Sequence, residues 1–145
     1  MVKGAKIAQL LFVLSVLTSL PLPAQIPSED LQKIETATPV QATVSPKQPR
    51  KLLVFTLTEG FVHQSIPHGT KAIETLGNKT GAFTTTISND IAMFNADSLN
   101  QFDAVCFIST TQLQFTNPDH RKNLLEFVRS GNGIAGIHAA SDNFY

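Results

Sequence analysis

Four short apolar runs recur after residue 50, and what separates them limits the folds open to this chain. They are "KLLVFTL" from Lys51, "GAFTTTIS" from Gly81, "AVCFIST" from Ala104 and "GIAGIH" from Gly133. Brief, nearly continuous apolar runs of this kind suit strands covered on both faces, and the second run adds β-branched residues. Between the first two, Ser65 is placed to cap a helix from about Ile66 to Leu76, with Pro67 in its first turn and Gly77 closing it. Ala72, Ile73 and Leu76 would face inward. "NADSLNQFD" reads as a short helix or turn. Asn117-Pro118 is a strong helix start, a cap followed by proline at the first helical position, and Gly131 ends that helix. Leu124, Leu125 and Val128 supply its apolar stripe. The order β-α-β-(α)-β-α-β specifies an α/β fold, a parallel sheet flanked by helices. Its strand C-termini share one edge, outside which open α/β sheets bind ligands.

The preceding residues have a different character. Lys3 and Lys6 open the chain, Ile7 to Leu20 is almost wholly apolar, and Pro21-Leu22-Pro23-Ala24 breaks the run beside a small residue. That is the layout of a signal peptide over residues 1–24, which predicts a secreted or periplasmic protein with no membrane attachment after cleavage. An uncleaved N-terminal membrane anchor is the alternative, although the run falls short of the roughly 20 residues that span a bilayer. Residues 25–50 alternate Pro, Gln, Ser, Thr and Lys with isolated apolar residues, as expected of a disordered linker in which Ser28 to Ile34 forms at most a turn or two of helix. Residues 51–145 hold the domain.

Loss of Lys3 and Lys6 with the leader leaves nine basic against eleven acidic residues. Such a chain carries no basic footprint for nucleic acid. Its single cysteine, Cys106, excludes an internal disulfide framework. Flanked by Val105, Phe107 and Ile108, it reads as packing and not as a nucleophile.

Two loops at the strand ends carry groups capable of chemistry. The first contains Thr58, Glu59, Gly60, Phe61, His63, Gln64 and Ser65; the second contains His138, Ser141 and Asp142. Imidazole transfers protons near neutral pH, and Glu59 or Asp142 could tune one of the two rings. His63 could equally be a loop residue packed on Phe61 or capping the next helix. His138 is harder to explain structurally, since an ordinary core strand has no use for a polar ring. His68 and His120 fall in the first turns of their helices and are expected to face solvent. Gly136-x-His138-x-Ala140 matches the small-residue spacing of a nucleophile elbow, with histidine in place of serine or cysteine. No metal-ligand spacing or P-loop occurs, so no metal is assigned and the cofactor is unknown.

"LLVFTLTEGFVHQSIPHG", "FDAVCFISTT" and "RSGNGIAGIHAASDNFY" together resemble the first half of a ThuA-like (trehalose-utilisation) domain over about residues 51–145. The resemblance implies a flavodoxin-like, class I glutamine amidotransferase-like fold and a link to carbohydrate metabolism. It aligns His63 and the stretch Gly136 to Asp142 with family motifs. His138 would then stand where amidotransferases keep their elbow cysteine, which argues against glutaminase activity. The residue before His63 is usually basic in the family and is Val62 here. Such domains continue beyond this motif, so the sheet is expected to be truncated after its fourth strand, leaving an edge for an oligomer or partner to cover.

Three functions compete on these residues. In the first, His138 is the acid/base and His63 orients a sugar derivative, with Glu59, Gly60, Phe61, Ser65, Ser141 and Asp142 binding the small-molecule carbohydrate. The second is a non-catalytic carbohydrate-binding or interaction domain, and the third an inactive remnant.

Overall fold

The computed structural model describes residues 25–145; the expected signal peptide lies outside the described residues. Four parallel strands form one sheet: β1 (Lys51–Phe55), β2 (Thr84–Ser88), β3 (Ala104–Ile108) and β4 (Gly133–Ile137), in the order β2-β1-β3-β4. Four helices accompany it: α1 (Ser28–Ala37), α2 (Ile66–Thr80), α3 (Ala96–Leu99) and α4 (Pro118–Arg129). Short 3-10 turns occupy Ile91–Phe94 and His138–Ser141.

Alternation along the central strands divides the core between the two faces of the sheet. Leu53, Phe55, Val105 and Phe107 point to one side and pack with Phe94, Leu99, Leu124 and Phe127. Val54, Cys106 and Ile108 point to the other, where Ile73 of α2 covers them. On the first face, Phe55, Phe94 and Phe107 interlock at centroid separations of 4.8, 6.0 and 5.8 Å. Cys106 is buried, and desolvation pushes its thiol pKa up, as packing requires. The two edge strands differ from the centre: every residue of β4 is exposed, including Ile134 and Ile137. "GIAGIH" is therefore an open edge and not a covered strand.

The helices follow local signals with informative exceptions. Asn117 caps α4 by accepting from the Asp119 amide at 2.9 Å, with Pro118 next. The inward face of α4 is His120, Leu124 and Phe127, spaced i, i+4, i+7, whereas Leu125 turns outward. His120 is thus buried and not solvent-facing; its Nε2 lies 3.0 Å from Asn95 Oδ1, and its ring meets Phe115 edge-on. Ser65 has helical backbone angles and makes no side-chain cap. Gly77 lies within α2 and does not end it: the helix runs to Thr80 and stops at Gly81, whose φ of 64° is left-handed. Residues 25–50 include a full ten-residue helix, α1, where a turn or two was expected. No α1 residue is buried, and polar ties hold it to α2. Lys79 Nζ donates to the Glu35 carbonyl at 2.6 Å, and His68 Nε2 lies 3.2 Å from Asp30 Oδ2.

Candidate functional site

Strand order places the candidate site. The chain leaves β1 toward β2 on one side, whereas β3 continues to β4 on the other, so the connections diverge between β1 and β3. Outside the C-terminal ends of such a pair, the diverging loops leave a crevice. Here the β1 loop and the β3 loop are tied together. The Thr111 carbonyl accepts from the Glu59 and Gly60 amides at 3.1 and 3.0 Å and from Thr58 Oγ1 at 3.1 Å.

His138 is the first residue past β4 and is exposed, with φ at 56°. A left-handed backbone is uncommon for a residue with a Cβ, and here it turns the imidazole out of the strand direction onto the rim. A Cβ on Gly136 would lie only 3.0 Å from that of Ala140, so the small residues beside His138 let the turn close. This is the geometry the elbow spacing predicts. Asn143 secures the turn, its Nδ2 donating at 2.8 Å both to Thr110 Oγ1 and to the Ala140 carbonyl.

The His63 ring, from the β1 loop, lies 4.5 Å from that of His138 between centroids, at 83° to it. Phe61 approaches the same His63 ring at 4.8 Å and 74°. Edge-to-face contact of this kind sets a positive ring edge against a negative face. The two imidazoles that sequence places on separate loops therefore touch.

The other expected groups divide. Phe61 is 69% exposed beside His63, open to a ligand face. Gly60 backs onto Gln112, whose side chain a Cβ at position 60 would meet at 2.9 Å. Glu59 is engaged elsewhere, its carboxylate accepting from the Gln114 amide at 2.6 Å. Among the described residues it forms no hydrogen bond to an imidazole, and neither does the Asp142 carboxylate. The Asp142 carbonyl accepts from the Gln112 amide at 2.6 Å. Ser65 is exposed ahead of α2. Ser141 lines, with His138 and Gly136, a shallow hollow of about 440 Å³ over the β4 face.

A larger cavity, about 720 Å³, has His63 in its lining. Its walls include Leu57, Val62, Ile66 and Pro67. Sequence reasoning missed its polar residues His68, Asn89 and Asp30, because they come from three segments that no motif connects. It also missed the buried run Ser109-Thr110-Thr111, which turns at the end of β3 with φ of 48° at Ser109. The signal for that run was present: a polar cluster directly after a buried strand, as at His138. Among the described residues, no group of three His, Cys, Asp or Glu side chains is placed to hold a metal ion.

The four-stranded parallel sheet flanked by helices makes this an α/β protein. The family model for ThuA, trehalose utilisation, matches residues 51–145, and the chain belongs to that family. A crystal structure of a ThuA-like protein from Bacteroides uniformis superposes with a TM-score of 0.55 at 20% identity. The match covers 68% of this chain and 40% of that one, so this chain spans well under half the length of its structural neighbour. No curated protein matches the chain.

Proposed function

We propose that this ThuA-family chain binds a sugar derivative at the carboxyl edge of the sheet and uses His138 as an acid/base there. The observation carrying this reading is the 4.5 Å contact between the His63 and His138 rings. His138 stands on an exposed turn, where a reacting carbon can reach it. His63, half-buried and packed on Phe61, orients the ring and the ligand. Proton transfer beside the carbonyl of a keto-sugar, leading to isomerisation or elimination, suits such a pair near neutral pH. Histidine at the elbow removes the nucleophile that a glutaminase needs. The N-terminal apolar segment supports secretion as part of the same proposal, and the open β4 edge supports a covering partner or a second copy.

Solvent-deuterium incorporation into a keto-sugar, followed by NMR, tests the chemistry. His138→Ala should slow incorporation by about a hundredfold or more, the range of general acid–base catalysis. His63→Ala should slow it less and weaken binding. Unchanged incorporation in both variants ends the assignment. A second reading, a non-catalytic carbohydrate-binding domain, is favoured by the exposed Phe61 beside a largely apolar cavity. Saturable trehalose binding without exchange or turnover would establish it instead.

A further inference from the structure

We propose that helix α1, which precedes the family domain, forms the outer wall of a binding cavity for a neutral sugar, with Asp30 holding its hydroxyls. The sugar class rests on the function proposed above; the place does not. The cavity of about 720 Å³ falls within the roughly 300–1,000 Å³ of small-molecule sites. The domain supplies its floor through Leu57, Val62, Ile66 and Pro67, and the segment before the domain supplies Pro27 and Asp30.

Three observations set the ligand chemistry. Among the described residues that line the cavity there is no lysine or arginine and Asp30 is the one carboxylate, its charge paired with Lys33 outside the lining, so the lining offers no cation to a phosphorylated or acidic ligand. Asp30 is held ionised chiefly by its hydrogen bond with Lys33, then by that with His68. Its oxygens carry one such contact each, Oδ1 at 3.3 Å and Oδ2 at 3.2 Å, and a carboxylate has about four acceptor positions, so room remains for ligand hydroxyls. Finally, the C–H face of a pyranose matches the apolar floor, while Gln64, Asn89 and His63 can bond its hydroxyls at the rim.

The seating of α1 points the same way. A ten-residue helix that buries no residue gains little from packing, and helices that short are marginal alone. It is nonetheless fastened at both ends, at Asp30 beside the cavity and at Glu35, whose carbonyl takes the Lys79 ammonium. A ligand bridging Asp30 and the β1 loop would give that placement a use.

Calorimetric titration of the described protein with trehalose and glucose, with glucose 6-phosphate as the anionic probe, tests the inference. Asp30→Ala and Asp30→Asn should each weaken trehalose binding by about tenfold or more, the loss expected for hydrogen bonds to a charged group. In the unsubstituted protein, trehalose should shift the backbone amide resonances of residues 28–37, a readout that needs no variant to fold. Affinities within twofold of the original in both Asp30 variants, with deuterium incorporation still slowed in His138→Ala, would overturn the α1 wall and leave the proposed function standing. Weakened binding in the Asp30 variants, with deuterium incorporation unchanged in His138→Ala and His63→Ala, would support the wall and overturn the two-histidine site. Preference for glucose 6-phosphate overturns the neutral-ligand assignment. Binding of no probe, with unmoved α1 resonances, overturns the neutral-sugar cavity, while deuterium incorporation decides the proposed function separately.

Discussion

A methyl group at residue 77 would sit 2.6 Å from the Phe83 carbonyl oxygen and 2.8 Å from its ring. Backbone cannot retreat as a flexible side-chain tip can, so α2 would have to move off the segment leading into β2. Overpacking of this sort costs about 1–3 kcal/mol, more than the roughly 1 kcal/mol that alanine gains over glycine within a helix. Gly77→Ala should therefore lower the urea unfolding midpoint despite its better helix propensity. An unchanged or raised midpoint would show that the Phe83 segment yields freely. A helix-ending glycine and a close-contact glycine look alike in sequence, and the difference lies in what packs against them. The same holds for His138. Its spacing from Gly136 and Ala140 was legible, and so was its placement at a strand end, because both are local. That its ring would meet His63 depended on strand order, which no residue near either histidine encodes.

At the scale of elements, Asp103 joins three strands at the edge opposite the site. Its carboxylate accepts from the Lys51 amide at 2.8 Å and from Arg50 Nη1 at 2.7 Å, while its own carbonyl accepts from the Gly133 amide at 2.8 Å. The Lys51 amide first, and Arg50 next, hold its pKa below the ordinary 3.8. A depressed native value means the ionised form is favoured by folding. That contribution is complete above the ordinary value and disappears as pH falls through the native one. Asp103→Asn should thus melt lower than the parent protein at pH 7, and the gap should narrow on acidification below about pH 4. A gap constant with pH would remove the carboxylate from the account. Helix α4 was legible from Asn117-Pro118, since capping is a contract between neighbouring residues. Its inward face was only partly so: Leu124 was expected, but His120 replaced Leu125 because Asn95 offered its ring nitrogen a partner. Helix α1 was hardly legible at all. Its stability comes from Lys79 and His68, more than thirty residues away, and not from an apolar stripe of its own.

Among the described residues, the sheet is buried at its centre and most exposed along β4. β1 and β3 are buried on both faces, whereas β4 exposes its full length, with Ile134 53% and Ile137 37% accessible. An uncharged edge strand of Gly, Ile and Ala carries none of the charges, prolines or bulges that keep edges from pairing. Water in contact with its apolar side chains is costly, and its unpaired backbone groups, though hydrated, offer a template for another strand. A second surface would cover the first and pair the second. The described protein should therefore bind an apolar dye such as ANS in its folded state and self-associate as concentration rises. Ile134→Lys together with Ile137→Lys should reduce dye fluorescence and shift sedimentation toward the monomer, while changing the melting temperature little, because neither side chain is in the core. A large fall in melting temperature would mean that β4 is better packed than its exposure indicates. Undiminished association would place the contact at another surface, with the Thr-rich β2 edge the next to test.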